Sequence, residues 1–118
     1  MDEVRWRFPH ETLYVYRDAL ELLRRVEGIA WPRGHGDLKQ QLKRAALSIT
    51  LNVCEGRAQK MAGNSGLNFY RIALGSAAES HGALEALQVV GNLELRSEIQ
   101  LARRIGGYLS GLLRPRKP

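Results

Sequence analysis

The chain has 118 residues, of which 44% are hydrophobic and 25% are charged, and its formal net charge is +6. This length supports a single domain, residues 1–118, with a core of its own. A lone Cys54 excludes an internal disulfide. The opening MDEVRWRF has no apolar run, and no segment reaches the roughly 18 apolar residues of a membrane span. We therefore expect a cytoplasmic protein without a membrane role.

The first helix is predicted over residues 13–28. Thr12 precedes the periodic run and is the expected N-cap. Gly28 is the expected end, because Trp31-Pro32 then breaks the chain. Apolar side chains at spacings of three and four form the predicted core face: Leu13, Tyr16, Leu20 and Leu23.

The second helix is predicted over residues 37–59, with Asp37 and Gln40 as a capping box. At about 100° per residue, this helix is apolar on two separate faces. The first is the predicted core face: Leu38, Leu42, Ala45, Ala46, Ile49 and Val53. The second is an outer stripe: Leu47, Leu51 and Cys54. Because one face is enough to pack a small bundle, and leucines are rarely left in rows in water, the outer stripe indicates contact with another subunit.

The third helix is predicted over residues 67–91, after a loop over residues 61–66. Its predicted core face is aromatic and aliphatic: Phe69, Tyr70, Ala73, Ala77, Leu84 and Leu87. Gly75, Ala78 and Gly82 lie on the side away from this face, where small residues let another backbone approach closely. Each glycine inside a helix costs about 1 kcal/mol relative to alanine, so we expect a compensating contact. It is either with another subunit or with a neighbouring helix of the same chain.

The fourth helix is predicted over residues 95–113, where Pro115 stops it and a basic tail, residues 114–118, begins. Its core face repeats the spacings of three and four: Leu95, Ile99, Ala102, Ile105, Leu109 and Leu112. No strand-like alternation and no internal repeat occurs in the sequence. The predicted fold is all-α, an up-down-up-down four-helix bundle.

Basic side chains concentrate in two acid-free stretches and on one flank of the second helix. No acid follows Glu98, and none lies between Arg57 and Arg71. Such clusters attract polyanions, nucleic acid first and an acidic protein or membrane surface second, although cations at a helix end also complement the helix dipole. The predicted nucleic-acid-binding residues are Lys39, Lys43, Arg57, Lys60, Arg71, Arg103, Arg104, Arg114, Arg116 and Lys117.

Three segments resemble a known family of four-helix bundle proteins. They are FPHETLYVYRDALELL near the start, QLKRAALSITLNVCEG over residues 41–56 and NFYRIALGSAAES over residues 68–80. Three motifs hold this resemblance together: Gln41-Leu42-x-Arg44-Ala45-Ala46, Asn52-x-x-Glu55-Gly56 and Ala73-x-Gly75-Ser76-x-x-Glu79. The chain resembles, from Phe8 to about Leu113, the proteins encoded by intervening sequences of bacterial 23S rRNA genes.

The resemblance implies a homo-oligomer, because members of that family form pentameric, barrel-like assemblies with a basic surface. Most members have no assigned activity. A related protein, the accessory variability determinant of diversity-generating retroelements, partners a reverse transcriptase and binds nucleic acid. Thr50 and Leu51 depart from the family, which tends to have proline and serine there. The loss of proline predicts a straighter second helix, and Leu51 lengthens the outer stripe.

No catalytic motif emerges from the sequence. Arg5 and His10 have the Arg-x4-His spacing of some helical ribonucleases, but Pro9 argues against the helix that such a site requires. Gly34-His35-Gly36 lacks the remainder of a phosphate-binding fingerprint. We expect neither a metal nor a cofactor, and we expect that the protein is not an enzyme.

Three further polar residues are expected to have structural roles. His81 lies beside the core stripe and is expected to be a hydrogen-bonded packing residue. Glu55 and Glu79 are expected to tie helices together by reaching Asn52, Ser76 or an arginine. No nucleophile or metal set accompanies these two carboxylates, so acid–base catalysis by them is not expected.

Two functions remain open from the sequence. The first is a non-enzymatic homo-oligomer that binds RNA or single-stranded DNA, as an accessory or scaffold to a nucleic-acid enzyme such as a reverse transcriptase. The second is an oligomeric adaptor whose basic surface and tail bind an acidic protein. Base-specific recognition is not expected, because the sequence pattern shows no aromatic-rich reading surface. A salt titration separates the two functions, since counterion release makes nucleic-acid binding strongly salt-dependent.

Overall fold

The computed structural model describes residues 4–115, and these residues contain four α-helices. The helices are α1 (Tyr14–Glu27), α2 (Gly36–Met61), α3 (Leu67–Gly91) and α4 (Arg96–Leu113), and a short 3-10 helix (Pro9–Thr12) precedes them. No strand occurs in the described residues. The all-α prediction is confirmed.

Each helix packs against two others. α2 lies between α1 and α3, and α4 closes the bundle by contacting both α3 and α1. The diagonal pairs, α1 with α3 and α2 with α4, do not touch within residues 4–115. The α1–α2 face and the α3–α4 face are therefore opposite sides of a four-helix bundle.

One apolar core runs through the bundle, and α2 and α4 bury the faces predicted for them. Ile49 and Ile105, for example, are fully buried, and Leu38 and Leu112 pack against the core while half-buried. Phe69 is the exception on α3, because it is half-buried and lies outside the core cluster. The periodicity of the longer helices therefore identified the interior well.

α1 buries a different face from the predicted one. Its fully buried residues are Val15, Ala19, Leu22 and Val26. In the predicted set, Leu13, Tyr16 and Leu23 are half-buried, and Leu20 is 42% exposed. Both sets have spacings of three and four, and the small Val15 and Ala19 allow closer packing of α1 on its neighbours. α1 is thus apolar over a wide arc, and only part of that arc faces the core.

The predicted N-caps of the first two helices were wrong. Leu13 is the N-cap of α1, while the Thr12 hydroxyl donates to the Pro9 carbonyl oxygen at 3.3 Å. The reason is the 3-10 turn ahead of α1, which already contains Thr12. α2 has His35 as its N-cap without a side-chain hydrogen bond, so Asp37 lies in the first turn. There its negative charge complements the positive end of the helix dipole.

α2 and α3 approach each other closely where residues 62–66 connect them. A Cβ atom on Gly56 would lie 2.7 Å from the Tyr70 ring, which leaves no room for a larger residue. Gly66 has φ +71°, a left-handed conformation that favours glycine, and it contacts Gly56. This tight turn fixes the end of α2 against the start of α3.

Candidate subunit and nucleic-acid interfaces

The outer stripe of α2 is exposed in the subunit. Leu47 is 45% and Leu51 is 57% exposed, and Cys54 is half-buried. Leu47 and Leu23 of α1 line one groove between the two helices. α1 and α2 are antiparallel, so Leu20 falls near Leu51 one turn further along. We call Leu20, Leu23, Leu47 and Leu51 the leucine ridge, which dominates the α1–α2 face.

Cys54 extends the ridge as a small apolar residue. Burial raises the pKa of its thiol, so the thiolate form is disfavoured. No group of three or more histidine, cysteine or acidic side chains in residues 4–115 is placed to hold a metal ion.

The small-residue surface of α3 is also open. Gly75, Ala78 and Gly82 are exposed. A Cβ atom on Gly75 or Gly82 would meet nothing within 4 Å apart from its own helix and chain neighbours. This contradicts the alternative that a neighbouring helix of the same chain makes the compensating contact. Ala78 also lines a groove of about 320 Å³ between α3 and α4, together with Arg103 and Gly106.

The leucine ridge lies on the α1–α2 face, whereas the small-residue surface lies on the outer side of α3, where Ala78 reaches the α3–α4 groove. One side presents large apolar side chains, and the other presents a shallow, nearly bare helix. These two sides do not meet within one subunit.

A charged residue flanks each of these sides. Arg44 lies one turn before Leu47 and Ser48 on α2, and Glu79 follows Ala78 in the sequence and lies one turn after Ser76 on α3. Both are exposed, and neither has an ion-pair partner within 4 Å among the described residues. The two charges are opposite, so they would attract each other if a contact between two copies brought them together.

Four of the predicted cations gather at one end of the bundle, which we call the basic end: Arg57, Lys60, Arg71 and Arg114. The topology brings them together, because α2 ends, α3 begins and α4 ends there. None of the four forms an ion pair within residues 4–115. The Arg57 Nε is buried without a hydrogen-bond partner. Burial raises the pKa of nearby Tyr70, and the Arg57 charge opposes this shift.

Two predicted cations on α2 lie far from the basic end. The Lys39 ammonium lies over the Trp31 ring at 5.8 Å from its centroid. The Lys43 Nζ lies 3.1 Å from the Glu27 Oε2. Lys39 is eighteen residues from Arg57 along α2, about 27 Å at 1.5 Å per residue. The structure therefore does not bring these lysines together with the basic end.

The remaining predicted cations differ in their environment. Arg104 makes two hydrogen bonds of 2.9 Å with the Asp18 carboxylate, which raises the pKa of its guanidinium. Arg103 is exposed beside the α3–α4 groove. Arg116 and Lys117 lie outside the described residues.

The hydrogen bonds between helices that were expected from Glu55 and Glu79 do not form in the structure. Glu55 accepts a hydrogen bond from Gln59 on its own helix, and Glu79 forms none with Asn52 or Ser76. Instead, the Ser76 hydroxyl donates to the Ser48 hydroxyl at 2.8 Å and so joins α3 to α2. Serine reaches between closely packed helices without crowding them, whereas a glutamate is too long and stays in solvent.

His81 makes one polar contact, between its Nδ1 and the Glu85 Oε1 at 3.3 Å. Its Nε2 is buried without a partner. Glu85 is an acidic partner, but no serine or cysteine hydrogen-bonds to this ring within the described residues, so the pair lacks the nucleophile of a catalytic triad.

An aromatic cluster escaped the sequence analysis. Trp6, Phe8, His10 and Tyr16 contact one another in succession ahead of and within α1. The expectation of no aromatic-rich surface is therefore wrong. The signal was available as the alternation of ring-bearing residues at positions 6, 8 and 10, although His10 already belongs to the 3-10 helix that follows Trp6 and Phe8. That alternation is too short to stand out beside helical periodicity.

No helix among the described residues has the length and apolarity to cross a membrane. No match to the chain was found among curated proteins. The family model described as 23S rRNA-intervening sequence protein matches residues 11–109, which include all four helices but for the end of α4. The match spans most of a chain whose structure is a four-helix bundle. The chain belongs to the family of 23S rRNA-intervening sequence proteins.

Proposed function

We propose that the protein is a non-enzymatic homo-oligomer, a pentameric ring, that binds RNA or single-stranded DNA through its basic end. In this role it is an accessory or scaffold to a nucleic-acid enzyme such as a reverse transcriptase. The family description ties such proteins to 23S rRNA genes and supports an association with RNA. The observation that carries the proposal is the cluster of unpaired cations at one end of the bundle.

Assembly is supported by the two exposed sides of the subunit. The leucine ridge on the α1–α2 face of one copy fits the small-residue surface on the α3–α4 face of the next. Such a contact joins different patches, so it is heterologous, and heterologous contacts build rings when the rotation closes. Five subunits are the number that the family resemblance implies.

Nucleic-acid binding is supported by what such a ring does to the charges. Cyclic symmetry puts the same end of every subunit on the same side, so the basic ends form one rim. Arg57, Lys60, Arg71 and Arg114 then repeat around that rim, and a flexible polyanion can contact several copies at once. Assembly would therefore multiply the number of phosphate contacts that one strand can make.

The proposal is tested by charge reversal and salt titration on the intact oligomer. Lys60→Glu with Arg71→Glu should weaken binding to a single-stranded RNA and flatten the salt slope by about one unit per lost phosphate contact. The control is Arg33→Glu with Arg96→Glu, which changes the same charge at the opposite end, where both residues are exposed and have no ion pair in the described structure. Equal effects of the two pairs would contradict a localised site.

The competing function is an adaptor for an acidic protein. An adaptor would bind its partner through the same basic end. The measured affinity for nucleic acid therefore decides between the adaptor function and the proposed function. If the parent protein forms the oligomer and binds no RNA or single-stranded DNA at low salt, the adaptor function replaces the proposed one.

A further inference from the structure

An aromatic ladder runs from the core into water at the start of the chain. The Trp6 and Phe8 rings meet edge to face, with centroids 4.6 Å apart. Phe8 stacks on His10 at 5.5 Å and 23°, and His10 meets the Tyr16 ring at 4.6 Å. Tyr16 packs against the core, whereas Trp6 and Phe8 are 57% and 55% exposed. The two outermost rings of an ordered stack are therefore open to a ligand.

The segment that holds the ladder is fixed by local hydrogen bonds and by packing. The Phe8 amide donates to the Glu11 Oε2 at 2.6 Å, and the Thr12 hydroxyl donates to the Pro9 carbonyl oxygen. The 3-10 helix contacts both α2 and α1. A ligand that stacks on the ladder would thus meet rings already held in position, which lowers the entropy cost of binding.

The surroundings of the ladder are basic. Arg5, Arg7 and Arg17 are exposed near it in the sequence, and Arg7 makes only a long contact of 3.7 Å with Glu11. α1 starts at the same end of the bundle where α2 ends and α3 starts, so the ladder and the basic end share that end. Exposed rings beside cations are the combination that single-stranded nucleic-acid sites use, rings for bases and cations for phosphates.

We infer that Trp6 and Phe8 form a stacking platform for unpaired bases of a single-stranded RNA or DNA whose phosphates contact the basic end. The inference rests on the proposed function and adds the groups that recognise bases. Every base has a π face, so this platform tolerates any sequence and discriminates single strands from duplexes. In a ring, each subunit adds one platform to the rim.

The test compares two strands of equal length and charge, oligo(dT) and an abasic deoxyribose-phosphate strand. Trp6→Ala with Phe8→Ala should weaken binding of oligo(dT) roughly 5- to 150-fold for each base stack lost. Binding of the abasic strand should not change. Tyr14→Ala is the matched control, because Tyr14 is an exposed aromatic residue that lies outside the ladder.

A second variant separates stacking from folding. Trp6→Phe keeps an aromatic face, so it should retain the affinity for oligo(dT) while losing the part of the tryptophan fluorescence quenching that arises at Trp6. Light scattering on each variant reports the subunit number. Retained affinity in Trp6→Phe together with lost affinity in the double alanine variant supports the platform.

The possible failures are distinguishable. If the parent protein binds neither strand, the proposed function itself is contradicted. If the parent binds both strands equally and the double alanine variant binds oligo(dT) as the parent does, the platform is overturned and the proposed function stands. If the double alanine variant loses subunits, the ladder is a subunit contact, and the inference is overturned.

Discussion

Both faces of α2 have apolar residues at spacings of three and four, yet they differ in what covers them. Ile49 and Val53 on the inner face are fully buried, whereas Leu47 and Leu51 on the outer face are 45% and 57% exposed. Burial therefore depends on where α1 and α3 pack and not on the periodicity of α2 itself. The inner face builds the subunit, and the outer face is left available for assembly.

The largest effect is expected on the inner face. Ile49→Asp or Leu84→Asp places an unpaired charge in the core and should cost roughly 3 to 5 kcal/mol of unfolding free energy, enough to unfold a domain of ordinary stability. Leu51→Asp is the control on the outer face and should keep the helix content. Thermal melts followed by circular dichroism measure the difference. Parent-like melting of both core variants would contradict the core assignment.

Assembly should respond to substitutions on the outer face of α2. Leu47→Glu with Leu51→Glu should dissociate the oligomer, because each leucine contributes about 1.5 to 3 kcal/mol when fully buried and each new charge resists burial. The helix content should remain, since the core is untouched. Val90→Glu, on an exposed part of α3, is the control. The measurement is the mass by light scattering at micromolar concentration, and a monomeric mass of the parent protein would refute the assembly.

A smaller effect is expected from the charges that flank the two sides. If the ridge of one subunit packs on the small-residue surface of the next, Arg44 approaches Glu79 of that copy. Arg44→Glu should then weaken the assembly by about 1 kcal/mol, and adding Glu79→Arg should restore it. Dilution experiments give the dissociation constants for this double-mutant cycle. If the effects of the two substitutions on the dissociation free energy are additive, Arg44 and Glu79 do not contact each other across the interface.

The smallest change tests the small-residue surface. Gly75→Ala with Gly82→Ala should raise the free energy of unfolding of the subunit by up to about 1 kcal/mol per site, since alanine is the better helix former and the subunit leaves room for it. The same methyl groups should weaken a close contact between subunits. Gly111→Ala is the control, with open space around it and no predicted contact. If the free energy of unfolding rises while the dissociation constant of the oligomer does not change, α3 does not lie in the interface.

The helices and most of the core were predictable because periodicity is a local property of the chain. α1 shows the limit: Leu20 and Leu22 are equally apolar, and only packing decides that Leu22 is buried and Leu20 is exposed. The N-caps failed for a similar reason. Thr12 is a good cap in isolation, but a 3-10 turn already contains it.

The candidate sites depended more on the three-dimensional arrangement. Lys43 and Arg57 look alike in the sequence, yet one is paired with Glu27 and the other has no ion pair among residues 4–115. The aromatic ladder was missed because Trp6 and Phe8 lie outside any helix, where helical periodicity does not apply. Only their contacts in the folded chain show that their rings form a cluster. Sequence patterns identify which residues are apolar or charged, and the fold determines which of them remain free.

The hydrogen bond between Ser48 and Ser76 joins α2 and α3 at one height along the bundle. Ser48 is the neighbour of Leu47, and Ser76 is the neighbour of Gly75, so the bond holds the ridge and the small-residue surface at the same height along the bundle. If these two surfaces join successive copies, their equal height favours a step without rise along the bundle axis, which is one condition for a closed ring. A slip of α2 by one turn against α3 would add about 5.4 Å of rise per copy. Such an assembly would be an open helical filament and not a closed ring.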